Sequence, residues 1–155
     1  MTAGAERTTT GRSEKESRRR GREAAVQMLY QWEVGREPIV DVVQVFWTHG
    51  PASSHPLPDE LRVFATTLAH GVASTVAEID PMITEAAEHW RIERMNVLDR
   101  LILRLAIYEF LHQPETPSKV VINEALELAR TFSTDESVRF INGVLDAVRK
   151  TLQRE

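Results

Sequence analysis

Between residues 98 and 111 apolar side chains stand on nearly every side of a 3.6-residue repeat: Leu98, Leu101, Ile102, Leu103, Leu105, Ala106, Ile107, Phe110 and Leu111. A helix without a polar face has nothing to offer water, so it folds only where other helices surround it. The rest of the sequence supplies such neighbours. Ala24, Ala25, Met28, Leu29 and Trp32 recur at three and four before Gly35 and Pro38, which predicts a helix over about 17–34. Ile39, Val42, Val43 and Phe46 predict a short helix ending near Gly50, although Val42-Val43 and Val45-Phe46-Trp47 also suit a strand. Residues 50–58 hold three prolines and read as a loop, since proline lacks the donor that a helix or ladder needs.

Pro58-Asp59-Glu60 sets a fixed φ and two acids at a helix N-terminus, and Leu61, Phe64, Ala65, Leu68, Val72, Val76 and Ile79 continue it as one stripe. Asp80-Pro81 has the form of a cap and first position, which assigns Met82, Ile83, Ala86 and Trp90 to a separate short helix. After Pro114 and Pro117, the residues Val121, Ile122, Ala125, Leu126, Ala129 and Phe132 mark a further amphipathic helix. Ser133-Thr134-Asp135-Glu136 fits a capping box with Ser133 as cap, opening a last helix that buries Ile141, Val144, Leu145, Val148 and Leu152. Asn142-Gly143 suggests a turn locally, but helical spacing continues on both sides, so the glycine is expected to admit a close backbone. The fold class is therefore all-α: a compact bundle of about six or seven helices.

Charge is uneven along the chain. Of a net −4 over 155 residues, residues 1–23 hold seven basic and four acidic side chains, a net of +3, and the remainder carries −7. Residues 1–16 have no aliphatic side chain larger than alanine after Met1, so burial cannot offset their ordering, and they are expected to form a disordered N-terminal arm. Residues 17–155 then form the helical domain. With no cysteine, a thiolate zinc site, an iron–sulfur cluster, a disulfide framework and a cysteine nucleophile all drop out. No stretch approaches a membrane span and no signal peptide opens the chain, so a cytoplasmic location with no membrane partner is the plain expectation.

The local scaffolds of common enzymes are missing: no glycine-rich dinucleotide or phosphate loop, no His-Glu-x-x-His and no Gly-x-Ser-x-Gly occurs. The histidines His49, His55, His70, His89 and His112 never pair at one helical turn, so no metal or other cofactor is expected. Glu85, Glu88, Glu93 and Asp99 read either as a solvated face or as an acidic surface turned toward a partner. Ser17-Arg18-Arg19-Arg20-Gly21-Arg22-Glu23 places four guanidinium forks around the first turns of a helix, a pattern suited to several phosphates. Tyr30 stands eight positions beyond Arg22, where it either shares that face and stacks on an unpaired base or fills a core boundary.

The run Arg18-Arg19-Arg20-Gly21-Arg22-Glu23-Ala24-Ala25-Val26-Gln27-Met28-Leu29-Tyr30-Gln31-Trp32 resembles the opening helix of the bacterial NusB family of transcription antitermination factors. Arg104-Leu105-Ala106-Ile107-Tyr108-Glu109 is similar to that family's central helix. The block from Lys119-Val120-Val121-Ile122-Asn123-Glu124-Ala125 to Phe132, with Arg139-Phe140-Ile141-Asn142-Gly143-Val144-Leu145-Asp146, resembles its C-terminal signature. The likeness covers residues 18–152 and is weakest over 35–58. It implies an all-helical, non-catalytic adaptor that pairs with the ribosomal small-subunit protein NusE and binds boxA-type single-stranded RNA during ribosomal RNA transcription. A place in the RNA polymerase antitermination complex goes with that role.

By position in the matching motifs, Arg18, Arg19, Arg22 and Tyr30 are implied to face RNA, and Glu93, Asp99, Glu136 and Phe140 to face NusE, with Arg139 near the junction. Glu136 stands where the family can carry aspartate, so its reach differs, and a capping role would compete with partner contact. A related helical domain precedes the catalytic domain of a ribosomal-RNA cytosine methyltransferase. The absence of a glycine loop and of a second domain before Glu155 sets expectation against that alternative. A third reading is a bundle that self-associates as a homodimer through apolar residues flanking Phe140.

Overall fold

The computed structural model describes residues 3–50, 54, 56–88 and 91–155, with side chains from Glu14 onward. Among them are six α-helices, a 3-10 turn at Ile92–Arg94 and no strand. The helices are α1 (Ala3–Gly35), α2 (Ile39–Thr48), α3 (Asp59–Ala86), α4 (Val97–His112), α5 (Ser118–Phe132) and α6 (Asp135–Thr151). The first helix is traced from Ala3, upstream of the expected start at Ser17, with no proline before Pro38 to end it. Of the expected arm, Met1, Thr2 and the side chains of residues 3–13 lie outside the described residues. So do Trp90, His89 and most of the proline loop at 51–53 and 55.

The all-round apolar segment is α4, and it packs against α1, α3, α5 and α6. Every residue from 101 to 110 is buried. The Asn96 side-chain oxygen starts the helix by accepting from the Leu98 N–H at 2.9 Å. Two charged side chains are buried within this span, and each ties α4 to another helix. Arg104 donates to both oxygens of Asp80 on α3 and to Glu33 on α1, all at 2.8 Å. Burial opposes its charge, but the bonds to Asp80 and Glu33 prevail and leave its pKa above the ordinary value. Glu109 accepts two bonds from Arg22 of α1, at 3.0 and 2.7 Å.

Two helix boundaries depart from the sequence expectation. No separate helix begins at Pro81; α3 runs through it. Proline forfeits one backbone bond there. Ile79 and Ile83 on either side are wholly buried, so packing holds the helix together, while the Asp80 carboxylate binds Arg104 instead of capping a new start. At α6 the cap is Thr134, not Ser133: its hydroxyl accepts from the Ser137 N–H at 3.1 Å, and Ser133 bonds to Asp99. Glu136 is thereby free of any capping role.

The expected close approach at Gly143 is absent, since a Cβ there would meet nothing within 4 Å. Gly71 is where close packing does require glycine, because a Cβ there would run into the Tyr108 ring. Gly71→Ala should therefore cost about 1–3 kcal/mol through overpacking at the α3–α4 contact. Urea denaturation measures this, and an unchanged midpoint would mean that Tyr108 swings aside without cost.

Candidate nucleic-acid and partner interfaces

The arginine-rich start of α1 separates into distinct environments once the helix is docked. Arg22 is 3% exposed and locked to Glu109, itself 2% exposed. It cannot reach a phosphate, which corrects its expected RNA-facing position. The reason is helical phase: Arg22, Ala25 and Leu29 follow one another at three and four along the buried stripe. Arg19 is half-buried and donates to both Glu124 oxygens, at 3.0 and 3.1 Å. That hydrogen-bonded pairing with Glu124 raises its pKa above the ordinary value. Arg18 is exposed, with its guanidinium 5.2 Å above the Phe64 ring. Arg20 is exposed and engages no other described side chain.

Sequence reasoning left Arg20 out of the RNA-facing set, although the signal was available. Arg20, Gln27 and Gln31 are spaced by seven and four, which places them in one line on the outer side of α1. Tyr30 adjoins that line and is 43% exposed, so it is not a core aromatic. Beside it opens a groove of about 510 Å³ between α1, α2 and the facing ends of α4 and α5. Its walls are mainly apolar, from Val26, Val42, Val45, Phe46, Leu98 and Phe132.

The acidic set gathers at the same N-terminal end of α4, on the side that faces α6. A second groove, of about 280 Å³, is lined by Met95, Asn96, Asp99, Glu136, Ser137 and Phe140, with Arg94 and Thr134 at its edges. Asp99 does not face outward beside Glu93 as expected. It is 7% exposed and accepts from the Ser133 and Ser137 hydroxyls at 2.9 and 2.8 Å, because it shares the inward stripe of Ile102 and Ala106. The groove thus has a fixed negative floor, an exposed acid at Glu136 and a half-buried aromatic at Phe140. Glu93 is exposed on the 3-10 turn next to Arg94, and Arg139 is exposed on α6 beside Phe140. Among the described residues no group of side chains could hold a metal ion, and none of the helices they form is long and apolar enough to cross a membrane.

Comparison with known proteins gives these surfaces a context. A model of the NusB family matches residues 19–150. The transcription antitermination protein NusB of Koribacter versatilis is 49% identical over 139 residues, spanning 90% of this chain and 92% of that protein. A structure of T. maritima NusB superposes with a TM-score of 0.76 at 32% identity, over 86% of this chain and 90% of the other. A crystal structure of the antitermination factors NusB and NusE in complex with double-stranded RNA shares the fold, with a TM-score of 0.76 at 22% identity over 88% and 98% of the two chains.

Proposed function

This chain belongs to the NusB family of transcription antitermination factors, which are not enzymes, and from that premise we propose that it is an adaptor joining NusE to boxA-type single-stranded RNA during ribosomal RNA transcription. The observation that carries this reading is the set of exposed groups that α1 presents on an otherwise acidic body: Arg20 and Tyr30 on its outer side, and Arg18, in line with Arg22, where the helix passes Phe64 of α3. Phosphates find unpaired or loosely held guanidinium groups there, and a base finds an exposed aromatic ring. Arg19 assists from its bridge to Glu124, and Arg139 lies toward the second surface. That surface, Glu136, Phe140 and the nearby Glu93 above the floor at Asp99, suits a partner with a basic edge and an apolar insert. The RNA polymerase antitermination complex and a cytoplasmic site of action follow from the same role.

The test separates charge from stacking. With NusE bound, Arg18→Gln/Arg20→Gln should flatten the log–log salt dependence of RNA binding by about 1.4 units, at roughly 0.7 per phosphate on a single strand. Tyr30→Ala should leave that slope intact and cost about 1–3 kcal/mol of affinity. Titrations of boxA-type RNA at several salt concentrations read both. An unchanged slope in the double variant removes the α1 arginines from the RNA site, and wild-type affinity in a folded Tyr30→Ala protein removes the ring.

A further inference from the structure

We propose that the groove beside Tyr30 receives one unpaired base of the RNA strand, with Tyr30 at its mouth and the polar groups of Gln27, Gln31 and Glu37 reading the base edge. This rests on the RNA-binding reading and goes beyond it, because it assigns base selection to a pocket formed by α1 and α2. At about 510 Å³ the groove is of the size that holds small planar ligands. No lysine or arginine lines it, so a phosphate has no partner inside. A nucleobase matches it better, since its faces are apolar and its edge is polar. Apolar side chains from four helices form the walls, whereas Gln27, Gln31 and Glu37 are exposed at the rim.

The rim has a direction. Gln31 Nε2 donates to Glu37 Oε1 at 2.9 Å, which uses one of the amide's two N–H donors and fixes its carbonyl oxygen as an acceptor. The Glu37 carboxylate beside it only accepts, which tips the rim toward acceptors. It therefore favours a base that carries an exocyclic amine over uracil. The strand's charge is met elsewhere on the same line: Arg20 precedes Gln27 by seven residues, about 10 Å along the helix at 1.5 Å per residue. A strand whose phosphate lies on Arg20 can thus turn a neighbouring base past Tyr30 into the groove.

The experiment uses the complex of the full chain with NusE and a short single-stranded boxA-type RNA carrying 2-aminopurine at one position at a time. Val45 is 53% exposed on the α2 wall, so Val45→Trp fills the groove without disturbing the core, as circular dichroism verifies. In the wild type, fluorescence should be quenched at one position, and an abasic nucleotide there should weaken binding on the order of tenfold. Val45→Trp should abolish that quenching, reproduce the loss of affinity and show no further loss with the abasic RNA, while the salt slope stays unchanged. Gln31→Leu should narrow the preference for an amine-bearing base at that position.

A folded Val45→Trp protein with wild-type affinity and unaltered quenching overturns the groove assignment, while an intact arginine-dependent salt slope leaves the RNA reading standing. If Val45→Trp alters only the sedimentation of the free protein, the groove serves self-association and the proposal fails. If the wild-type complex shows no salt-dependent RNA binding at all, the RNA reading fails and the groove assignment with it.

Discussion

Arg22→Ala should cost about 3–5 kcal/mol of folding stability, the largest effect expected of any single substitution in the arginine-rich segment. The guanidinium makes two bonds to Glu109 at 3.0 and 2.7 Å, and its carbon sits 5.4 Å above the Phe64 ring. Truncation leaves a carboxylate in the most enclosed helix of the bundle with neither partner nor water. Against a typical total of about 5–15 kcal/mol, such a loss empties much of the native population. Arg22→Lys should also destabilise, since an ammonium cannot supply two parallel bonds to one carboxylate. Arg22→Met/Glu109→Leu should restore most of the loss, because removing both charges leaves no orphan. Urea midpoints of the three variants measure this. If Arg22→Ala keeps the wild-type midpoint and flattens the salt slope of RNA binding, the buried pair is not the structural tie described above.

The buried Arg22–Glu109 pair also explains why the proposed RNA face was only partly legible in the sequence. Arginine residue type and adjacency grouped Arg18, Arg19, Arg20 and Arg22 into one basic cluster, but adjacency says nothing about which side of a helix a residue occupies. Phase does: Arg22 is in step with Ala25 and Leu29, whereas Arg20 is in step with Gln27 and Gln31. The same logic brings Asp99 inside, in step with Ile102 and Ala106. What phase could not reveal is the partner. Arg22 and Glu109 lie 87 positions apart, and Glu33 and Arg104 lie 71 apart, so only the docked helices bring their charges together. The all-α class and the central place of α4 were legible because a helix apolar on every side admits few surroundings. The run of α3 through Pro81 was not, because local cap chemistry pointed to a break and tertiary burial of Ile79 and Ile83 overrode it.

Phe140→Ala should weaken binding of NusE by on the order of 2 kcal/mol, roughly a thirtyfold rise in Kd. The aromatic lies half-buried along the groove that also contains Met95 and Glu136, above an Asp99 carboxylate held by two hydroxyls. A partner's apolar side chain entering there meets a preformed wall, and loss of the ring opens the pocket to water. Glu136→Gln and Glu93→Gln should act differently. Both acids are exposed, so their loss should mainly slow association and reduce its salt dependence, with smaller changes in affinity. Asp99→Ala should lower stability as well as binding, since it leaves the buried Ser137 hydroxyl without its acceptor and Ser133 with Ser137 alone. Calorimetric titration with NusE, with circular dichroism as a folding control, distinguishes these outcomes. Wild-type affinity in a folded Phe140→Ala protein would place the partner surface elsewhere.

The central claim is that one chain presents two separate surfaces, the outer side of α1 for RNA and the α4–α6 groove for NusE, and that its function is to hold both at once. The most direct measurement is the affinity of boxA-type RNA for this chain alone, for NusE alone and for the equimolar pair at one salt concentration. The pair should bind on the order of tenfold or more tightly than either protein by itself, on the proposal that NusE, once docked in the α4–α6 groove, adds its own contacts to the strand held by α1. Equal affinity for the pair and for the better single binder would contradict the claim.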